Sequence, residues 1–455
     1  LDEVESEKAR AMTLELHDIQ GTVLNNRPMP YFGSYVTFRI ENADAARAML
    51  RKLIPKVATA ADWAAPKDQA WLNIAFTWEG LRRLGLSQDI LEGFPIEFRE
   101  GMAARSAFLG DVGRSDPSLW DFPHGNNGFH AGILIMASTM EGRDAKLETG
   151  RLALEGLEGI EVSARLDVGV PPTMREHFGF VDGISRPFIA GQGGEPLPGQ
   201  GAPTKAGEFI LGYENELGQL ATGPGPEALW RNGTYIAIRK IYQDVAAFRG
   251  YLRQCAEDSF GQERAAAKMM GRWRSGCPLA LSPDVDNPEI VGDPHRNNAF
   301  AYYDDDLNGS KTPVGCHIRR VNPRDGLQDT MAYARLHQLL RRGAAYGPLL
   351  PEHVLDDDGE DRGIVLALIN ANPGRQFEFV QSQWVNDGDF VSQGTRSDPI
   401  VGRRDRSDDF AYPEKPVRRR LTRLPDFTAT RGGEHVFLPS INGLQWLADL
   451  QSDDP

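Results

Sequence analysis

Short alternating apolar segments, each followed by an Ala-rich segment at helical spacing, recur along this chain at a fixed distance. Gly33-Ser-Tyr-Val-Thr-Phe-Arg39 alternates as a half-buried strand does, and Asp44–Leu53 behind it reads as a helix started by Asp. Two hundred residues on, Gly233-Thr-Tyr-Ile-Ala-Ile-Arg239 and Asp244–Cys255 repeat both elements. Five identities (Gly33/Gly233, Tyr35/Tyr235, Arg39/Arg239, Asp44/Asp244, Ala46/Ala246) fall in one gapless register. Later in each half comes a β-branched, Leu-rich run of buried-strand length, Gly132-Ile-Leu-Ile-Met136 and Gly363-Ile-Val-Leu-Ala-Leu-Ile369. Between the halves lies a Gly/Pro-rich stretch, Gly191–Pro226, with a strand-like insert at Glu208-Phe-Ile-Leu-Gly-Tyr213. The economical reading is a duplicated strand–helix–strand unit, two α+β domains joined by a long connector; chance likeness is the alternative.

Length and charge narrow the function. The 455 residues suit two domains, and 40% apolar with 25% charged residues suit a globular chain. A net charge of −14 argues against the basic stripe of a nucleic-acid binder and against a polybasic membrane patch. No apolar run approaches the roughly 20 residues of a membrane helix. Three cysteines, Cys255, Cys277 and Cys316, make no disulfide framework and fit a reduced compartment. The first residues, Leu1-Asp-Glu-Val-Glu, lack Met and are too acidic for a signal peptide.

Several motifs lead nowhere. Gly183-Ile-Ser185-Arg-Pro187 begins like a nucleophile elbow but has Pro where the second Gly belongs. Asp304-Asp-Asp306-Leu-Asn308-Gly309 opens like a calcium loop, yet Gly315 stands where the bidentate Glu is needed, which leaves a polar turn. The acidic run Asp356–Asp361 reads as a solvated loop, and His124 and His130 as loop histidines without a third metal ligand.

Three segments remain. In Glu176-His-Phe-Gly179-Phe-Val-Asp182-Gly183-Ile-Ser-Arg-Pro187, Asp182 is an acid among apolar residues and glycines, either capping a turn or functional. In Pro313-Val-Gly-Cys-His317-Ile-Arg319-Arg320-Val-Asn-Pro-Arg324, a histidine in a semi-apolar turn precedes several arginines. That pairing suits a dianionic cofactor such as haem, which needs an imidazole for iron and cations for its propionates. No Cys has the C-x-x-C-H spacing of covalent c-type attachment. In Leu336-His-Gln-Leu-Leu-Arg341-Arg342-Gly343-Ala-Ala-Tyr346-Gly347, the spacing of Ala332, Leu336, Leu339 and Leu340 predicts a helix with Gly343 as its C-terminal cap. Arg341 and Arg342 are then either capping or functional residues.

Together these segments resemble the dye-decolorizing peroxidases. Gly179-Phe-Val-Asp182-Gly183 matches that family's GxxDG motif; His317–Arg324 resembles its proximal-histidine segment, and Arg341–Gly347 its distal-arginine segment. The similarity runs from His17-Asp-Ile-Gln-Gly-Thr-Val-Leu24, through Ala206–Tyr213, to Gln376-Phe-Glu-Phe-Val-Gln381, in the family's order. The resemblance implies an α+β fold of two ferredoxin-like domains with antiparallel sheets, 1–215 and 216–455, with haem held mainly by the second. It implies one non-covalent haem b per chain, with His317 as the iron ligand and Asp182 and Arg341 on the open, peroxide-binding face. Glu378 is then the expected acceptor for the other ring N–H of His317, and Arg319 the expected propionate partner. Tyr346, or Trp384, is a candidate for relaying electrons from the surface. In place of the Phe that many relatives carry over the haem stand aliphatic Ile364, Val365 and Leu366.

The function implied is reduction of hydrogen peroxide with one-electron oxidation of dyes, phenols or other small aromatic reductants. Neither nucleic acid nor membrane is an expected partner, and self-association is left open. The length and the lack of an export signal look like the longer, cytoplasmic-type members, although a trimmed N-terminus leaves export open. Two rival readings are a haem carrier or haem-iron handling protein with incidental peroxidation, and a non-haem scaffold in which His317 is a core residue.

Overall fold

Each alternating segment forms a strand, and the Ala-rich segment behind it a helix folded back on the sheet. The computed structural model describes residues 13–64, 70–122, 129–330 and 333–451. Its first half runs β1 (Phe32–Ile40), α1 (Ala43–Leu53), β2 (Ala70–Phe76), β3 (Ala131–Ala137), α2 (Met140–Leu154) and β4 (Ile160–Gly169). The second half opens with β5 (Thr234–Gln243) and α3 (Val245–Cys255), then inserts α4 (Ser259–Met270) and the short α5 (His317–Val321). It continues with β6 (Leu340–Tyr346), β7 (Gly363–Asn370), a ribbon of β8 (Phe410–Tyr412) and β9 (Arg419–Leu421), then β10 (Thr428–Leu438) and α6 (Ile441–Ala448).

The main sheet has the order β4-β1-β3-β2-β10-β5-β7-β6, all antiparallel. Divided between β2 and β10, it is the ferredoxin-like order (fourth, first, third, second) twice over. The two halves join at the pair Phe437 and Phe76, and the end strands β4 and β6 lie against each other, so the sheet curls toward a barrel.

The strand period of two separates two cores. On one face, Tyr35, Trp71 and Met136 meet Ile236, Val365 and Val436 of the other half. On the opposite face, Leu72, Ile74 and Ile133 pack under Met49, Leu50 and Leu53 of α1. Asp244 caps α3 as its position predicts, accepting from the Ala247 amide at 2.9 Å. In the first half the cap is Asn42; Asp44 bonds Arg47 one turn on.

Two predicted elements differ. The insert at 208–213 is not a strand: Ala206–Glu208 is a 3-10 turn, and Phe209, Ile210 and Leu211 are buried without a ladder partner. Burial, not strand pairing, explains its apolar character, and the buried Glu208 carboxylate is held by Arg375 at 2.7 Å. The helix expected to end at Gly343 is a 3-10 turn, Ala334–His337, followed by β6; Ala332 lies outside the described residues. Pairing with β7 supplies the backbone bonds that a helix would have made, overriding local propensity. Among the described residues no helix is long and apolar enough to cross a membrane.

Candidate active site

Where the second half-sheet turns away from the barrel core, alternate side chains face a cavity of about 470 Å³. Arg341 of β6 and Ile364, Leu366 and Leu368 of β7 point into it, whereas Val365 and Ala367 point to the core. The same alternation decides between the two arginines. Arg342 is buried on the other side, donating to the carbonyls of Thr22 (3.1 Å) and Val23 (2.9 Å). The cavity is completed by the 180–187 segment, by His317 and Val321 of α5, and by Val380 and Trp384 of a π-helical stretch. Such stretches are frequent at functional sites.

His317 stands at the first position of α5. Its Nδ1 lies 2.9 Å from Asp398 Oδ2, which leaves Nε2 as the nitrogen available to the cavity. Asp398 is fully buried, and its other oxygen accepts from the amides of Ile400 (2.8 Å) and Val401 (3.0 Å). Burial pushes this carboxyl up, but His317, Arg320 and the Val401 amide outweigh it and hold the group below its usual range. A carboxylate on one ring nitrogen fixes the tautomer and makes the other a good metal donor.

Glu378, the expected partner of His317, is elsewhere. It is buried and takes Arg105 through two bonds, 2.6 and 2.7 Å, with His435 at 3.3 Å. Asp398 was not singled out by sequence; its signal is the Asp-Pro dipeptide, a turn former whose side chain bonds amides just ahead. Arg319 is likewise misplaced as a propionate partner. Its guanidinium donates to Asp306, to the Thr312 and Leu307 carbonyls, and stacks on Tyr302 at 4.2 Å. The cations that line the cavity instead include Arg341, Arg324, Arg272 and Arg186, the first two from the distal-arginine and proximal-histidine segments.

Asp182 is delivered by a tight turn. Glu176 accepts from the amides of Phe178 (3.0 Å) and Phe180 (2.8 Å), and Gly179 and Gly183 take φ of 93° and 86°, the left-handed region that favours glycine. His177 Nε2 reaches the Tyr346 carbonyl at 2.7 Å, fastening the turn to the end of β6; burial lowers this imidazole to about 4, so it stays neutral. The Asp182 carboxylate accepts from Arg341 on one oxygen and from Arg27 on the other, the latter at 3.2 Å. Burial opposes ionisation, but Arg341, Arg27 and the Gly183 amide pull the group below its ordinary range. Gly343 makes room for it: a Cβ there would lie 2.8 Å from Asp182 Oδ2.

Neither relay candidate reaches the surface by itself. Tyr346 is 3% exposed; its hydroxyl donates to Asp361 at 3.1 Å, and Lys240 lies 4.9 Å from its ring. Trp384 is 2% exposed, touching the cavity on one side and stacking on Phe390 at 5.6 Å. Of the other motifs, Asp306 is a buried acceptor for the amides of Lys311 and Thr312, as a structural turn requires. His130 accepts from the Ile40 amide at 2.8 Å, and His124 lies outside the described residues. Among the described residues no cluster of three His, Cys, Asp or Glu side chains suits a bare metal ion.

The residues fit a ferric porphyrin: an oriented imidazole with one free nitrogen, an apolar sheet wall, and guanidinium groups at a cavity within the usual ligand-pocket size. The chain is similar to known peroxidases. The family model for the DyP dimeric alpha+beta barrel domain matches residues 18–156. Peroxidase 2 of Mycetinis scorodonius is 30% identical over 97% of this chain and 89% of its own length. A solved dye-decolorizing peroxidase in complex with 2,6-dimethoxyphenol superposes with a TM-score of 0.82 at 28% identity, covering 96% of this chain and 100% of that one. A fungal DyP-type peroxidase from Auricularia auricula-judae gives 0.81 at 26% identity, covering 96% and 99%.

Proposed function

This chain belongs to the dye-decolorizing peroxidase family and is an oxidoreductase that uses peroxide as its acceptor, and on that premise we propose how its own residues carry the reaction. A b-type haem without covalent attachment would be held by His317 through its Nε2, with Arg324, Arg272 and Arg186 as candidate partners for its carboxylates. When bound, the haem supplies the redox centre through which one hydrogen peroxide, two protons and two electrons become two waters.

The chain's part is to place charge and move protons. Asp182, ionised between two cations, accepts the proton from one peroxide oxygen and returns it to the other, the leaving one. Arg341 stabilises the negative charge that develops on the departing oxygen. Asp398 holds the His317 ring, and Ile364 and Leu366 keep the sheet wall dry. The observation that carries this reading is the convergence on one cavity of a carboxylate-held imidazole and an arginine-gripped aspartate.

The electrons come from small aromatic reductants, phenols among them; the similar enzyme solved with 2,6-dimethoxyphenol supports this class. Retention of both Asp182 and Arg341 favours catalysis over passive carriage. The test is steady-state oxidation of 2,6-dimethoxyphenol by the haem-loaded protein. Turnover that depends on peroxide and collapses in Asp182→Asn and Arg341→Leu is expected; a Soret band without turnover would return the carrier reading.

A further inference from the structure

The two guanidinium groups on Asp182 are not equivalent. Arg341 approaches from the cavity, which it lines, and 41% of its side chain remains exposed. Arg27 approaches from outside the cavity lining, out of the segment between Leu24 and β1, with 15% exposed. Its Nη2 donates to Asp182 Oδ2 at 3.2 Å, and its guanidinium lies 4.4 Å over the Tyr31 ring. Tyr31 in turn accepts from the Ala345 amide at 2.9 Å, so this cation is fastened to the strand that carries Arg341. The carbonyls of Thr22 and Val23, held by Arg342, tie the same N-terminal segment to β6 a second time.

We propose that Arg27 is a positioning residue for the peroxide reaction: a fixed counter-ion that keeps Asp182 ionised and aimed when Arg341 turns to the peroxide. The proposal rests on Asp182 being the proton acceptor. Charged, titratable and hydrogen-bonding groups act on Asp182 from three directions. Arg341 faces it from β6, Arg27 and the Tyr31 hydroxyl from the N-terminal segment, and the Glu176 carboxylate and Gly183 amide from its own turn. Once Arg341 engages the substrate, Arg27 is the cation left to offset burial and the nearby Glu176. A buried carboxylate with no counter-ion protonates instead of paying its desolvation, and a protonated Asp182 cannot accept a proton.

The test is the pH profile of the bimolecular rate with hydrogen peroxide, measured on haem-loaded wild type, Arg27→Gln, Arg27→Met and Arg27→Lys. Met keeps the apolar contact with Tyr31, which guards against a folding defect in the Gln variant. Both neutral variants should move the acid limb up by about one pH unit, tenfold in rate on that limb, with the plateau retained; Lys should keep the wild-type limb. A second readout is the pH dependence of thermal unfolding of the same proteins. Loss of Arg27 should make acid unfolding begin at higher pH, and that difference should vanish in an Asp182→Asn background. An unmoved acid limb, or a uniform slowing at every pH, would overturn the proposal. If Asp182→Asn reacts as fast as wild type, the underlying assignment of Asp182 fails; if it is slow while Arg27→Gln keeps the wild-type limb, only the role of Arg27 fails.

Discussion

Asp398 Oδ2 sits 2.9 Å from His317 Nδ1, although 81 residues separate the two in the chain. The contact is made by an aspartate whose other oxygen is saturated by two backbone amides, so the carboxylate cannot rotate away. Asp398→Asn keeps the shape but loses the charge that orients and enriches the imidazole. Haem affinity should fall about 10- to 100-fold, the usual cost of losing such a partner. A haemin titration followed in the Soret region checks this, and unchanged affinity would remove Asp398 from the site.

Asp182→Asn and Arg341→Leu should retain haem and lose speed. General-base loss should slow the reaction with peroxide by about 10²- to 10⁴-fold, and loss of the charge-stabilising guanidinium by about 10²- to 10³-fold. Stopped-flow absorbance against peroxide concentration measures both, with normal Soret bands as the control for binding.

With Asp182 as the proposed base, its depressed value sets the expected pH behaviour. Its ordinary value is near pH ~4, so a lowered folded value keeps the base ionised through mildly acidic conditions. Stability follows the same sign. Asp182 titrates below its unfolded value, so its contribution is present above about pH 4 and is lost as pH falls through the depressed value. The wild-type peroxide rate should therefore stay flat from pH 7 to about pH 4. A fall that begins near pH 6 would contradict Asp182 as the base.

Gly343→Ala tests the packing of the sheet against the turn. The new Cβ would lie 2.8 Å from Asp182 Oδ2 and 3.2 Å from Ile364 Cδ1. Asp182 must shift, at about 1–3 kcal/mol of overpacking strain, and the peroxide rate should fall while haem affinity holds. Stopped-flow rates and a haemin titration on the same preparation separate these effects.

Glu378→Gln separates the former candidate from the true partner. It leaves half-buried Arg105 and buried His435 without their carboxylate, costing about 2 kcal/mol of stability. The Soret spectrum should not change. Thermal unfolding and absorbance together decide; a spectral shift would place Glu378 back at the haem.

Much of this was legible in the residues. The gapless register of Tyr35 with Tyr235 and Asp44 with Asp244 announced the duplication, and the sheet order repeats as it implied. His317, Asp182 and Arg341 do meet at one cavity. What misled is local. Leu336, Leu339 and Leu340 suit a helix as well as a turn leading into a strand, and only pairing with β7 decides. Arg319 lies two positions after His317 on α5, and residues two apart on a helix do not share a face. Asp398 and Arg27 were invisible because their partners are set by tertiary folding, across 81 and 155 residues respectively.

The most direct measurement is a haemin titration of wild type and His317→Ala, read by Soret absorbance and by peroxide-dependent oxidation of 2,6-dimethoxyphenol. Wild type should bind one haem per chain with a histidine-ligated ferric spectrum and turn over, while His317→Ala loses both that spectrum and the turnover. An alanine variant with the wild-type spectrum and full activity would contradict the site described here.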